Sequence, residues 1–387
     1  MLSVFVIVYW ILLCILCYMC IGYAVLSRVL SLFFGRIESP NSDMLPSVSL
    51  IIPAYNEAAV LRQKLENSLA LDYPHERLEI LIADDCSTDD TPAIASQFCS
   101  DRVRHLRFSE RRGKAAAIVD AARASTGELL LLCDANVYFA SDALRKLVGH
   151  FADESVGAVT GTVVLQSSQS NFGVGEEAYY SLERVVQESE SRIGSLMGVD
   201  GGMYVIRREL FPELPADTLL DDFVASMNVI RSGQRIVYEP LARASECGTP
   251  AAAQEYRRRK RMAAGAVQSI LRGHVPPWNR PVIWWQYISH KLLRWQMPWI
   301  LLALFIVNAV ILTAHPAYAM SMAVQLLFYG AATFGALFVS WRRFKLFAVP
   351  FYFAMGAVAI AVGSVRGLLR REASTWTPTL RQPVAAK

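Results

Sequence analysis

Asp134-Ala135-Asn136 ends an apolar run, ELLLLC, and in extended backbone positions i and i+2 face the same side. Two oxygen-bearing side chains on one face suit a hard divalent cation, Mg²⁺ or Mn²⁺. An aspartate capping the next turn is the plainer alternative. Lys114 follows Arg111-Arg112-Gly113 and opens an Ala-rich helical stretch. The free N–H groups and dipole of a helix start favour anions, so a lysine there suits phosphate, although a solvated basic turn would read the same. Asp221 and Asp222 precede a helical pattern (Val224, Met227, Val229, Ile230), so one of them can serve as a general base, as a helix cap, or as both. Arg257-Arg258-Arg259-Lys260-Arg261 is the densest basic run. On a helix Arg257 and Arg261 share a face, as do Arg258 and Arg261. That face can clamp a diphosphate or meet anionic lipid.

The elements that would position these groups alternate along the chain. VSLII (48–52), LEILIAD (78–84), VRHLRF (103–108) and ELLLLCD (128–134) read as strands. Helices are expected through Leu61, Leu65 and Leu69, near 91–99, and over 114–124. Such alternation predicts βαβ units and a parallel sheet, with ligands bound beyond the carboxyl ends of the strands. Three of those ends carry Pro53-Ala54-Tyr55-Asn56-Glu57, Asp84-Asp85-Cys86-Ser87-Thr88-Asp89-Asp90 and Asp134-Ala135-Asn136. Carboxylates and amides therefore gather at one edge. The dinucleotide fingerprint GxGxxG and the P-loop GxxxxGK[ST] are both absent.

Composition adds a membrane. Hydrophobic residues make up 53% of the 387 and charged residues 19%, with mean hydropathy +0.30. The net charge of +4 is too mild for a nucleic-acid partner. Residues 1–27 hold no charge, and Arg28 and Arg36 follow, which predicts an anchor over 1–34 with a cytosolic C-terminal flank. The stretch 279–294, with Trp284, Trp285, Tyr287, His290, Lys291 and Arg294, reads as an interfacial helix in the headgroup zone. No charge lies between Arg294 and Arg342, so two spans are expected near 295–314 and 317–341, with a hairpin at His315-Pro316. Residues 346–371 are expected to be re-entrant or interfacial, bent at Pro350, with a cytosolic tail over 372–387. A true span there would carry Arg366, Arg370 and Arg371 outside. Of seven cysteines, Cys14, Cys17 and Cys20 lie at helical spacing in the anchor and four are scattered through the middle; with no paired motif outside the membrane they read as buried thiols rather than zinc ligands or disulfides.

Taken together, VSLIIPAYNE, ILIADDCSTDDT, RGKAAAI, GELLLLCDAN, VDGGMYVIRR, LLDDF and EYRRRKRMAAG, in that order over about 48–265, resemble the membrane-embedded family 2 glycosyltransferases. That family includes the cellulose, hyaluronan and poly-N-acetylglucosamine synthases and bacterial exopolysaccharide relatives. The resemblance implies an α/β GT-A (Rossmann-like) fold over 37–275, flanked by transmembrane helices. It also implies a nucleotide-sugar donor, usually UDP-linked. It puts Ala54, Tyr55 and Glu57 at the nucleoside, Asp85 on the uracil, Lys114 on the diphosphate, and Asp134 at the first acid of the metal-binding DxD. Asp222, with Asp221 beside it, matches the catalytic base that ends the family's TED motif. Arg258 and Arg261 stand where the Gln and Arg of QxxRW would be. STWTPTLR (374–381) is similar to the family's cytosolic gating loop.

Three positions depart from the family pattern: Asn136 for the second acid, Arg258 for Gln, and Met262 for the Trp that stacks on the acceptor. With one formal charge fewer at the metal, Asn136→Asp is expected on sequence grounds to tighten Mn²⁺. The implied reaction is a single displacement with inversion, onto a glycan or lipid-linked acceptor at the cytosolic face of the plasma (inner) membrane. Membrane lipid and polysaccharide export partners are the implied company. A catalytically silent scaffold subunit of a polysaccharide machine is the alternative.

Overall fold

The computed structural model describes residues 2–41, 43–166, 173–247 and 252–373. The chain opens on α1 (Leu2–Cys17) and α2 (Tyr23–Phe34), joined by a π-helical turn at Tyr18–Gly22. Then follow β1 (Val48–Ala54), α3 (Ala58–Leu69), β2 (Leu78–Asp84), α4 (Thr91–Gln97), β3 (Val103–Arg107), α5 (Lys114–Ala124) and β4 (Leu129–Cys133). The next elements are β5 (Val137–Phe139), α6 (Ala143–Val148), β6 (Val156–Gln166), α7 (Gly173–Ile193), β7 (Met203–Arg207), α8 (Asp221–Arg231) and β8 (Arg235–Cys247). The C-terminal helices are α9 (Ala252–Leu271), α10 (Pro281–Gln286), α11 (Leu293–Val310), α12 (Pro316–Leu337) and α13 (Lys345–Leu368).

One eight-stranded sheet runs in the order β3-β2-β1-β4-β7-β6-β8-β5. Its first four strands are parallel, as the alternation predicts. β1 continues past Ile52 because its ladder with β2 persists through Pro53↔Ala83 and Ala54↔Asp84. Beyond β4 the sheet is mixed: β7 is antiparallel to β4 and β6, β6 is parallel to β8, and β5 is antiparallel to β8. Helices α7 and α8 also separate β6, β7 and β8, so strand–helix alternation does not by itself tell an antiparallel neighbour from a parallel one.

Side chains of period two divide the strands between two cores. Leu50, Ile52, Ile80 and Ile82 bury against Val60, Leu61 and Leu65 of α3 and Leu144 and Leu147 of α6. Ile51, Leu130 and Leu132 bury against Ile118 and Ala121 of α5 and Met227 and Ile230 of α8. Each fully buried aliphatic side chain contributes about 1.5–3 kcal/mol. The sheet is therefore a rigid base whose carboxyl edge holds the loops in register.

Among the described residues four helices are long and apolar enough to cross a membrane: Leu2–Phe34, Pro281–Val310, Pro316–Leu337 and Lys345–Leu368. The second joins α10 and α11 through a π-helical turn at Tyr287–Leu292, so the expected interfacial segment and span are one helix. Part of that segment turns inward rather than to headgroups. Ile283 and Tyr287 lie in the second core, and His290 is buried between Glu190 (Nδ1, 2.9 Å) and Glu183 (Nε2, 2.8 Å). Glu183 also accepts from Arg294 at 2.5 Å, and Glu190 from the Tyr23 hydroxyl at 2.5 Å. The reason is spacing: acids seven apart on α7 lie two turns apart on one face and so meet polar side chains from two membrane helices, Tyr23 from one and His290 and Arg294 from the other.

α13 is a continuous helix with Pro350 inside it. Its N-terminal part packs on α12, where a Cβ at Gly335 would lie 2.8 Å from the Phe347 carbonyl. Its C-terminal half lies along α9: Cβ atoms at Gly363 and Gly367 would lie 2.2 Å and 2.8 Å from the carbonyls of Lys260 and Ala264. Glu372, just beyond, pairs with Lys260 at 3.2 Å. The STWTPTLR segment, 374–381, lies outside the described residues.

Candidate active site

The loops at the carboxyl ends of β1 and β2 hold unusual backbone. Asn56 (φ 55°) and Cys86 (φ 62°) adopt left-handed conformations that few non-glycine residues occupy, a form of strain concentrated at ligand sites. Asn56 donates its N–H to Ser87 Oγ (3.0 Å) and accepts from Thr88 N (2.8 Å), locking the two loops together. Tyr55 lies beneath the Arg111 guanidinium, 3.7 Å from ring centroid to cation. Ala54 is fully buried, so any ligand contact it makes is through backbone. Glu57 is buried as well, and its carbonyl caps α3 by accepting from Val60 N and Leu61 N.

Asp85 is 1% exposed, and its carboxylate accepts from Arg112 N and Gly113 N, both at 2.8 Å. It therefore fixes the turn that starts α5. Gly113 takes φ 93°, which a side chain would strain. That turn aims Lys114 into the site. Asp84, behind it, is held below its usual range by hydrogen bonds from His105 and Ser87 despite its burial.

Lys114 is the centre of the charge arrangement. Its Nζ donates to Asp134 Oδ1 at 2.8 Å and lies 3.7 Å from Asp221 Oδ2. Burial alone would push the ammonium down, but Asp134 and Asp221 hold it well above its usual value. Asp222 is raised to about 6, first by burial and then by the like charge of Asp221. Asp221 and Asp222 occupy the first turn of α8, with Leu220 at the N-cap. The capping expectation thus gives way to acids inside the helix start, where its dipole favours negative charge. Gly201 lies against the Asp222 carboxylate: a Cβ there would be 2.9 Å from Oδ2. The adjacent Asp200 is raised by burial, and its Oδ1 accepts from Gly202 N at 2.9 Å.

Asp134 and Asn136 flank the β4–β5 turn. Asn136 is 4% exposed; its Nδ2 donates to Glu246 Oε1 at 2.9 Å, while its Oδ1 has no hydrogen-bond partner among the described residues. A buried, unpartnered carbonyl oxygen two residues from a carboxylate fits a hard divalent cation. Among the described residues no three His, Cys, Asp or Glu side chains converge to hold a metal, so the protein offers this pair rather than a closed cage. From behind, buried Lys64 donates to the Val137 carbonyl at 2.6 Å, and Asn67 pairs with both backbone groups of Phe139. These contacts pin the turn.

α9 serves the loop that carries the acids. Arg261 donates to the Leu219 carbonyl (3.3 Å), and Gln268 accepts from Leu219 N (3.0 Å) and donates to the Asp217 carbonyl (2.9 Å). Gly265 lets Leu220 pack directly on the helix, because a Cβ there would be 2.5 Å from Leu220 Cγ. Arg261 is thus placed on the loop, whereas the charge of Arg258 reaches Asp200 and Glu246. Met262 is 47% exposed. The structure brings Lys114, Asp134, Asp221 and Asp222 together. Glu246, Gln268 and Lys64 were not singled out by sequence, since each acts on a partner remote in the chain.

Residues 49–214 match the glycosyl transferase family 2 model. The chain is 29% identical over 235 residues to a beta-monoglucosyldiacylglycerol synthase of Nostoc sp., covering 59% of this chain and 50% of that one. It is 26% identical over 275 residues to a poly-beta-1,6-N-acetyl-D-glucosamine synthase of Staphylococcus aureus, covering 70% and 65%. It spans about half the length of the Nostoc relative. Among solved structures it is similar to the mannosyltransferase PcManGT of Pyrobaculum calidifontis, in complex with GDP-Man and Mn²⁺. That match has a TM-score of 0.70 and 25% identity, covering 94% of this chain and 100% of that one.

Proposed function

We infer that this chain, whose residues 49–214 form a glycosyltransferase family 2 domain of GT-A fold, moves a sugar from a UDP-linked donor to a hydroxyl of a lipid-linked acceptor, with inversion, at the cytosolic face of the membrane. The observation that carries this reading is Lys114, one ammonium 2.8 Å from Asp134 and 3.7 Å from the acid pair. It joins a diphosphate-binding end to a base. Asp222 takes the proton from the acceptor hydroxyl as that oxygen bonds to the anomeric carbon. The bond from that carbon to the diphosphate oxygen breaks on the opposite face. Lys114 and Arg258 balance the charge that gathers on the leaving diphosphate. Asp134 and Asn136 would hold a divalent cation, which would supply further positive charge there. Arg261 and Gln268 act at one remove, by fixing Leu219 and so the start of α8.

A lipid acceptor is favoured by what adjoins the base. Phe223, the next residue, packs edge-on against Trp295 at 5.7 Å between centroids. One turn further along α11, Pro298, Trp299 and Leu302 line an apolar groove of about 390 Å³ shared with Tyr329, Phe353 and Ala357. An acyl chain in that groove would run along the same helix whose Trp295 touches Phe223. The name of the Nostoc relative, a diacylglycerol-based synthase, supports the same class. Membranes containing the protein, given radiolabelled UDP-glucose, UDP-N-acetylglucosamine, UDP-galactose, UDP-glucuronate or GDP-mannose, are expected to move label from one UDP-sugar into solvent-extractable lipid. Label in a water-soluble polymer would make the acceptor a glycan, and no transfer from any donor would leave the silent scaffold.

The same reading sets the topology. Basic residues flank the catalytic unit at Arg28, Arg36, Lys291 and Arg294, which supports a cytosolic catalytic domain. α13 has the length of a span, yet its C-terminal half follows α9, and Glu372 pairs with Lys260. Both contacts keep its end beside the catalytic unit, which supports an interfacial or re-entrant helix and three crossings. A cysteine introduced at Ala373, with the protein's own exposed cysteines replaced, is expected to resist a membrane-impermeant thiol reagent added to intact cells. Ready labelling would mean a fourth crossing.

A further inference from the structure

The residue opposite the metal turn is an acid that neither sequence spacing nor any relative's name assigns. β5 and β8 pair antiparallel with Val137 opposite Glu246, so register delivers the Glu246 side chain beside Asn136. The contact is direct: Asn136 Nδ2 to Glu246 Oε1, 2.9 Å. A carboxylate oxygen accepts, an amide has a donor end and an acceptor end, and here it is the NH₂ end of Asn136 that faces Glu246. The amide is planar, so fixing its nitrogen fixes its oxygen, and that oxygen is the buried atom with no partner among the described residues.

We propose that Glu246 is the positioning residue of the cation site: it holds the Asn136 amide so that its carbonyl oxygen is presented to a divalent cation beside Asp134. This rests on the glycosyltransferase reading above. The second acid of the usual motif has in effect moved from position 136 to position 246, one shell further out. Outer partners of this kind orient ligands and are worth about 10- to 100-fold in metal affinity. The consequence reverses the sequence expectation for Asn136→Asp. That substitution sets two carboxylates where a 2.9 Å hydrogen bond now stands. Its extra charge is spent on repelling Glu246 rather than on the cation. Exchanging the two roles removes the conflict, because an amide on β8 would then donate to a carboxylate on the β4–β5 turn.

The test is Mn²⁺ binding, read by electron paramagnetic resonance of free Mn²⁺, to the purified full chain in detergent with saturating UDP. Glu246→Ala is expected to weaken Mn²⁺ about 10- to 100-fold. Asn136→Asp alone is expected to bind no tighter than the parent chain. Asn136→Asp with Glu246→Gln is expected to bind at least tenfold tighter than Asn136→Asp alone. The double variant keeps the cross-strand hydrogen bond, so it answers the question even if Glu246→Ala fails to fold. Parent-like binding by Glu246→Ala, or independent additive effects of the two exchanges, would overturn the proposal while leaving the transferase reading standing. Absence of UDP-dependent Mn²⁺ binding in the parent chain would overturn both.

Discussion

EDTA is expected to abolish sugar transfer, and added Mn²⁺ or Mg²⁺ to restore it. Lys114 is a competing cation within the site, already 2.8 Å from Asp134. If its single charge were enough for the leaving diphosphate, chelation would leave activity intact. Charge counting argues otherwise, because a nucleoside diphosphate departs with more negative charge than one ammonium balances. The protein supplies two oxygens, Asp134 and Asn136, and among the described residues no group of three His, Cys, Asp or Glu side chains is placed to hold a metal. Phosphate oxygens and water must then complete the shell. Mn²⁺ alone should therefore bind weakly, and UDP should tighten it by the same factor by which Mn²⁺ tightens UDP, since the coupling is reciprocal. Titrating each ligand with and without the other checks this. Full transfer in excess EDTA would refute the metal site.

How much of this was legible before folding varies with the range of the contact. β2 and α5 fall where the periodicity puts them, Leu78–Asp84 and Lys114–Ala124, because both elements are set by their own residues. Asp134 and Asn136 were legible as residue types, but the extended backbone that their i, i+2 spacing assumes stops at Cys133, and the pair lies at the β4–β5 turn instead. Glu246 was not: it meets Asn136 across 110 residues of chain, through a strand pair that no local pattern announces. Gln268 likewise holds Leu219 from 49 residues away. The antiparallel half of the sheet was lost for the same reason. His290 illustrates the opposite error. Beside tryptophans it has the composition of a headgroup belt, but Glu183 and Glu190 bury it. Composition describes an average environment, and one pair of acids on α7 overrides it.

Asp222→Asn is expected to lower kcat by about 10²–10⁴, the range for loss of a general base. The substitution keeps shape and an acceptor oxygen, so the bond from Phe223 N (2.7 Å) can persist and α8 should stay formed. Lys114 and Asp134 are untouched, so UDP binding should be within a few-fold of the parent chain. The pH profile gives a second reading of the same residue. The carboxylate is the active form, and burial with Asp221 raises its value to about 6. Transfer should therefore rise with pH through about 6 and level off above it, falling tenfold per unit below. The sign can be checked with Asp221→Asn. Removing that like charge makes ionisation of Asp222 easier, so the acid limb should move to lower pH. A purely structural role for the pair predicts loss of activity at every pH with no movement of the limb. Near-parental transfer by purified Asp222→Asn would take the base away from this residue, and the unmoved limb would take away its coupling to Asp221.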